Sequence, residues 1–212
     1  MSTKRFFLSL LFAASCTASF AQTTAASTTA EAPDALVKRL ATEITEAVKA
    51  DKVLAAGDSV KVANLIETKI IPFVNFQRMT ASSVGPAWRS ATPEQQKRLQ
   101  EEFKALLIRT YAGAVKEVKD QAVVVKPLRL AAEDATVIVR SEVRGKGDPI
   151  QLDYRVGKVT DASGTTWKIY DINVLGVWLV ETYRGQFAQE VNANGIDGLI
   201  KSLAEKNKTT KK

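Results

Sequence analysis

Residues 165–184 read T-T-W-K-I-Y-D-I-N-V-L-G-V-W-L-V-E-T-Y-R, and this stretch decides the fold. Its first half, as far as Leu175, has the aromatic and β-branched residues of a half-buried strand. After Gly176 the apolar residues recur at the spacing of one helix face. A segment that serves first a sheet and then a helix layer is typical of an α+β domain.

The apolar side of this strand changes parity along its length. Trp167 and Ile169 hold odd positions, whereas Tyr170, Ile172 and Val174 hold even ones. Because successive strand side chains point to opposite faces, a regular strand cannot bury both sets on one side. We therefore expect a bulge or sharp twist at 169–170, which would curve the sheet.

Upstream of this stretch, the apolar period changes from that of helices to that of strands near residue 120. Strands are predicted over 122–130, 135–143 and 150–156, joined to one another and to the quoted strand by short turns. Short turns between consecutive strands predict an antiparallel meander of four strands.

Apolar stripes of period 3.6 predict helices on both sides of these strands. Thr92, Pro93 and Gln95 have the order of a capping box with proline at the first helical position. The predicted helices cover 33–56, 59–71, 75–84, 93–119, 177–192 and the segment after a break at 194–195. The predicted fold is therefore α+β, a small antiparallel four-stranded meander packed against multiple helices.

The first residues have the pattern of an export signal. Lys4 and Arg5 precede an apolar run that is too short to span a bilayer, and small residues lead to Ala21. We expect a signal peptide over 1–21 with cleavage after Ala21. The alternative, lipidation at Cys16, would normally have leucine where Ala13 stands. Further expected segments are a flexible leader at 22–32, a single domain at 33–206 and a basic tail at 207–212.

The amino-acid composition limits the kinds of catalytic and metal sites that can be expected. The chain has no histidine, and its one cysteine, Cys16, lies in the predicted signal peptide. Cysteine nucleophiles, histidine-dependent triads and His/Cys metal sites are therefore not expected in the mature chain. The formal charge of +7 favours anionic membrane surfaces or acidic proteins over nucleic acid as partners of an exported protein.

The abundance of aliphatic stripes suggests a second use for the core. Helix and sheet faces of this kind could enclose an internal lipid cavity or could simply pack together. Leaving an acyl chain in water costs on the order of 10 kcal/mol, at about 0.8 kcal/mol per methylene, so a lipid that crosses water needs a protein sheath.

Six motifs resemble the MlaC family, also called the toluene-tolerance family, in order and spacing. The resemblance extends over about residues 34–206, and one departure is Trp178, where many members have a small polar residue. The motifs are V-N-F-Q-R-M-T (74–80), V-G-P-A-W-R (84–89), A-T-P-E-Q-Q (91–96), F-K-A-L-L-I-R-T-Y-A (103–112), W-K-I-Y-D-I-N-V-L-G-V (167–177) and Y-R-G-Q-F (183–187).

The resemblance implies a periplasmic phospholipid-binding carrier without enzymatic activity or cofactor, with bound phospholipid as its cargo. Such proteins shuttle glycerophospholipid between an outer-membrane lipoprotein–porin complex and an inner-membrane ABC transporter with an MCE-domain subunit. Their role is to maintain outer-membrane lipid asymmetry. We expect this chain to act as a monomer without nucleic acid or metal.

Apolar residues on the predicted inner faces are our candidates for the lipid-binding wall, and basic positions that match the family are candidates for headgroup contacts. The lipid-binding candidates are Val74, Phe76, Met79, Leu107, Tyr111, Val137, Val139, Ile150, Leu152, Tyr154, Ile169 and Val174. The headgroup candidates are Arg78, Arg89 and Arg109.

Two other functions remain open from the residues alone. One is an exported enzyme on a cone-shaped α+β fold that acts on an apolar substrate, with either Asp171 or Tyr154 as its general acid/base. The other is a non-catalytic envelope interaction module with a filled core. For Asp171 itself we favour a structural ion pair or a helix cap, because a carboxylate in an apolar strand needs a partner.

Overall fold

The computed structural model describes residues 31–117, 121–145, 147–162 and 164–209. The predicted signal peptide (1–21), nearly all of the predicted leader and the last three residues of the predicted tail lie outside the described residues. So does the expected end of the long helix at residues 118–119.

One layer of the fold, which packs against the sheet, consists mostly of helices. The α-helices are α1 (Pro33–Ala50), α2 (Lys52–Ala55), α3 (Ser59–Lys69), α4 (Phe76–Val84), α5 (Pro93–Glu117) and α6 (Leu179–Thr209), and 3₁₀ helices cover Ile71–Phe73 and Gly85–Ser90. Residues 207–209 of the predicted tail therefore continue α6.

Local side-chain caps explain where the helices begin. The capping box is confirmed: Gln95 N–H donates to Thr92 Oγ1 at 3.2 Å, and Thr92 N–H donates to Gln95 Oε1 at 3.0 Å. The expectation of one helix over 33–56 is wrong. Asp51 interrupts it, because its carboxylate accepts the N–H groups of Val53 and Leu54 and starts α2 afresh.

The strands form one antiparallel sheet in which β3, β4, β5 and β6 pair in chain order, as expected for a meander, whereas β1 pairs with β3 and β2 with β4. Within the described residues the order is β1-β3-β4-β5-β6, and β2 also pairs with β4. The bounds are β1 (Ala122–Val125), β2 (Thr136–Val139), β3 (Ser141–Arg144), β4 (Ile150–Asp161), β5 (Gly164–Val174) and β6 (Val177–Trp178).

The second predicted strand, 135–143, is divided into β2 and β3 at Arg140. The backbone of Arg140 turns to β1, where its carbonyl accepts the N–H of Lys126 at 2.8 Å. The N–H of Ser141 then donates to the Asp153 carboxylate at 3.2 Å. The four-stranded expectation therefore holds for the topology, while the described residues form six strand segments.

The predicted bulge is present in β5. Arg155 lies opposite Asp171, and the next residue of β4, Val156, lies opposite Ile169, so Tyr170 is left over. The extra residue resets the alternation of the strand. Trp167 and Ile169 before it and Ile172 and Val174 after it consequently face the same side of the sheet, which we call the inner face.

A tight turn joins the sheet to the last helix. Leu175 and Gly176 both have positive φ, 53° and 87°, as a two-residue hairpin turn of the common primed type requires. The helix begins at Leu179, two residues later than the sequence suggested, because β6 comes first. The predicted break near 194–195 is confirmed by a bend at Gly195, whose φ is 69°.

Besides a cluster that joins α1, α2 and α3 around Val48, two clusters of buried side chains hold the helices against each other and against the inner face. One joins α4, α5 and α6 around Phe103, whose ring meets those of Tyr183 and Phe187 edge-on at 4.9 and 5.1 Å. The other joins α1 to one end of the inner face and contains Leu36, Val37, Leu40, Val139, Val156, Trp167 and Ile169. The other end of the inner face is not filled in this way.

Candidate functional site

An apolar cavity of about 590 Å³ lies between the other end of the inner face and helices α3, α4 and α5. Its volume is within the ~300–1,000 Å³ of typical ligand pockets. The described residues that line it are Ile66, Ile70, Ile71, Val74, Phe76, Met79, Lys104, Leu107, Ile108, Tyr111, Ala114, Gln121, Val143, Ile150, Leu152, Ile172, Val174 and Leu179.

Regular periodicities place these side chains on the cavity wall. On α5, Lys104, Leu107, Ile108 and Tyr111 follow the three- and four-residue spacing of one helix face. On the sheet, Leu152 lies opposite Val174, and Ile150 lies opposite Val143. Directly paired strand residues share a face, so both pairs contribute to the same wall.

Most of the predicted lipid-binding residues lie on this wall. The eight that line the cavity are Val74, Phe76, Met79, Leu107, Tyr111, Ile150, Leu152 and Val174. Three of the four sheet residues missing from this set, Val137, Val139 and Tyr154, are on β2 and β4, and the fourth, Ile169, is on β5.

These four residues lie on the inner face but at its filled end. Val139 and Ile169 are buried in the cluster with α1, and Val137 and Tyr154 pack against that cluster. Alternation along a strand assigned them to the correct face. Because α1 covers that end, they contact helix side chains and not the cavity.

None of the three predicted headgroup arginines lines the cavity. The Arg78 guanidinium stacks on the Tyr170 ring, with Cζ 3.5 Å from the ring centroid. Arg89 is exposed in the second 3₁₀ helix. Arg109 is partly buried on α5, and its Nη1 has no hydrogen-bond partner among the described residues.

The polar residues that do reach the wall, Lys104 and Gln121, were missed in the sequence. Lys104 interrupts an otherwise apolar helical stripe one turn before Leu107 and Ile108. A lysine in such a position could have been noticed, because its aliphatic stem can lie along an apolar wall while the ammonium stays in water. Gln121 comes just before β1 and follows no periodic pattern.

Asp171 and Tyr154, the two candidates for the acid/base of the enzyme alternative, point to opposite faces of the sheet. Tyr154 is paired with Ile172, the neighbour of Asp171, and adjacent strand residues alternate. Burial raises the pKa of the Tyr154 hydroxyl, which moves it away from neutral pH. Burial also raises the pKa of the Asp171 carboxyl, and hydrogen bonds from Val180 N–H, Ile172 N–H and Arg155 oppose that rise.

The structural role expected for Asp171 is confirmed. Its Oδ1 accepts the N–H of Val180 at 3.0 Å in the first turn of α6, and its Oδ2 accepts from Arg155 Nη1 at 2.8 Å. The Arg155 guanidinium also lies over the Trp178 ring and reaches Glu181. The carboxylate thus fastens the start of α6 to β5.

Asp171→Asn is expected to lower the free energy of unfolding by about 2 kcal/mol, because the amide cannot accept from both the backbone and Arg155. Chemical denaturation followed by circular dichroism measures this loss. Glu181→Gln is the matched control, since it removes an exposed partner of the same arginine and should cost less than about 1 kcal/mol. Equal losses in the two variants would contradict the role assigned to Asp171.

None of the helices in the described residues is both long and apolar enough to cross a membrane. In the same ranges, no group of three or more potential metal-ligating side chains comes together.

Comparison with known proteins places this architecture in a family. The profile of the MlaC protein family matches residues 38–205. The chain is 28% identical over 169 residues to the toluene tolerance protein ttg2D of Pseudomonas putida, covering 79% of this chain and 77% of that protein. It is 23% identical over 174 residues to the intermembrane phospholipid transport system binding protein MlaC of Haemophilus influenzae, covering 82% and 81%.

A solved structure has the same fold. The phospholipid-binding protein from Ralstonia solanacearum, determined in complex with a phospholipid, superposes with a TM-score of 0.76 at 45% sequence identity. The superposition covers 82% of this chain and 96% of that one. The family profile spans most of the sequence and the fold agrees with it. The chain therefore belongs to the MlaC family.

Proposed function

We propose that this protein is a periplasmic phospholipid carrier that holds the acyl chains of a glycerophospholipid in the apolar cavity. The lipid is its cargo, and the protein acts without catalysing a reaction on it. The headgroup remains at the mouth of the cavity, in contact with water.

The cavity wall is the observation that carries this proposal. Apart from Lys104 and Gln121, the described lining residues are aliphatic or aromatic. Each methylene removed from water into such a wall contributes about 0.8 kcal/mol, so acyl chains are the ligands that gain most from it. The phospholipid bound to the Ralstonia relative and the transport role named for the Haemophilus relative support the same reading.

The proposal extends to the route that the cargo takes between the two membranes. We infer export through a signal peptide cleaved after Ala21, and action as a monomer in the periplasm. The protein would exchange lipid with an outer-membrane lipoprotein–porin complex and with an inner-membrane ABC transporter that has an MCE-domain subunit. This exchange would maintain the lipid asymmetry of the outer membrane.

Organic extraction of the natively purified protein, followed by lipid mass spectrometry, is expected to return glycerophospholipid. After delipidation, the protein should take phospholipid up again from vesicles, because the empty apolar wall is hydrated. Buffer carried through the same columns is the control for free lipid. A protein that contains no phospholipid and takes none up would refute the carrier function.

A further inference from the structure

A partly exposed ion pair lies at the edge of the apolar cavity. Among the described residues that line the cavity, Lys104 alone carries a charge. Its Nζ lies 2.9 Å from Oε1 and 3.2 Å from Oε2 of Glu67. Glu67 follows the lining residue Ile66 on α3, so the pair bridges α5 and α3 at the cavity.

This pair is open to water and therefore exchangeable. The side chains of Lys104 and Glu67 are 31% and 42% exposed. Ion pairs of that exposure contribute little to stability, so little is lost when one partner turns to a ligand. In the described residues no other acidic group pairs with Lys104, and no other cation pairs with Glu67.

The free-energy cost of burying a charge determines which part of a phospholipid contacts this ion pair. A phosphate cannot enter an apolar wall without a large desolvation cost, whereas its acyl chains gain by entering it. The phosphate of a bound lipid therefore stays at the rim, where Lys104 supplies an ammonium that can form a charge-assisted hydrogen bond to it.

We propose that Lys104 and Glu67 together form the headgroup site, and that this site favours phosphatidylethanolamine over phosphatidylglycerol. The proposal rests on the carrier function inferred above. Lys104 binds the phosphate, and Glu67 accepts hydrogen bonds from the primary ammonium of the headgroup.

The selectivity follows from the matching order of charges. The phosphate and the ammonium of phosphatidylethanolamine are separated by two carbons, so a lipid held at Lys104 brings its ammonium to the neighbouring Glu67. The four charges then alternate in sign around the site, which is the arrangement that opposite charges favour. Phosphatidylglycerol offers no cation, and its phosphate would lie beside a carboxylate that no headgroup charge compensates.

A competition experiment tests the headgroup site. Delipidated protein is incubated with vesicles of equimolar phosphatidylethanolamine and phosphatidylglycerol, recovered by gel filtration and extracted for mass spectrometry. The wild type should be enriched in phosphatidylethanolamine, and Glu67→Gln should lower the ratio of the two lipids about threefold, as expected for the loss of one partly exposed ion pair.

Two variants complete the design. Glu43→Gln is the matched control, because Glu43 forms exposed ion pairs with Arg39 and Lys69 and does not line the cavity. It should leave the lipid ratio unchanged. Lys104→Gln should reduce the uptake of both lipids, since both present a phosphate.

The outcomes separate this inference from the carrier function. Normal total uptake, with a lipid ratio equal to that of the vesicles and unchanged in Glu67→Gln, would overturn the headgroup site and leave the carrier function standing. An equal change in Glu43→Gln would also overturn it, because the effect would then reflect net charge. Absence of any uptake by the wild type would overturn both.

Discussion

Phe103→Ala is expected to lower the free energy of unfolding by about 4 kcal/mol, the range measured for a fully buried phenylalanine. The Phe103 side chain is 0% exposed and lies at the meeting point of α4, α5 and α6. Its ring contacts those of Phe76, Tyr183 and Phe187, and such aromatic pairs stabilise beyond the area that they bury. Alanine would leave a cavity between the three helices, and the helices cannot all move inward to fill it.

Urea denaturation monitored by circular dichroism measures this effect. Because domains of this kind are stable by only about 5–15 kcal/mol, the variant should unfold at a much lower denaturant concentration. Val60→Ala is the control, since Val60 is 76% exposed on α3 and its truncation should change stability by less than about 0.5 kcal/mol. A loss below about 1 kcal/mol in Phe103→Ala would show that this cluster is not the principal core.

Val174→Trp should weaken phospholipid uptake at least about tenfold while the protein stays folded. Val174 is on the cavity wall, and the indole would occupy space that the proposed acyl chains use. Displacing only two methylenes removes about 1.6 kcal/mol of apolar burial, slightly more than a factor of ten in affinity. Overpacking, which costs about 1–3 kcal/mol in a filled core, is relieved here by the open volume.

The partner strand supplies a matched control for this variant. Val177 lies directly opposite Val174 and shares its face of the sheet, but on the edge strand β6 its side chain is 54% exposed and does not line the cavity. Val177→Trp therefore makes the same substitution in the same hairpin and should leave uptake unchanged. If both variants take up lipid as the wild type does, the cavity is not the place where the acyl chains bind.

Local chemistry in the sequence predicted much of this fold. The capping box at Thr92 and Gln95 gave the start of α5, since its hydrogen bonds involve only neighbouring residues. The parity change in β5 predicted the bulge, because one inserted residue is the way to turn both halves of the strand to the same face. The break at Gly195 followed from a glycine between two apolar stripes.

Features that depend on contacts between residues far apart in the sequence were harder to predict. The second predicted strand is interrupted at Arg140, because the Arg140 carbonyl accepts from Lys126 and the next N–H, that of Ser141, donates to Asp153. Neither partner is near in sequence. The break at Asp51 had a local signal, an aspartate able to cap a helix, but the apolar stripe on either side of it masked that signal.

The same distinction applies to the cavity. Alternation placed Val139 and Val174 on one face of the sheet, but it carries no information about which helix covers which end. Val139 meets α1 and Val174 meets the cavity because of how the helices are arranged above the sheet. The contact between Lys104 and Glu67 joins residues on two helices, and so no spacing along the chain could indicate it.

The bulge at Tyr170 also constrains how relatives of this protein can vary in length. Turns between strands can gain or lose residues with little cost, because loop closure depends only weakly on loop length. Between Ile169 and Ile172, by contrast, one further residue would reverse the alternation again and direct Asp171 and Asn173 toward the apolar cavity. It would also separate the second half of β5 from the Ile169 carbonyl, which accepts the N–H of Asn75 at the entrance to α4. This short interval is therefore where we expect an alignment of the family to show no insertions.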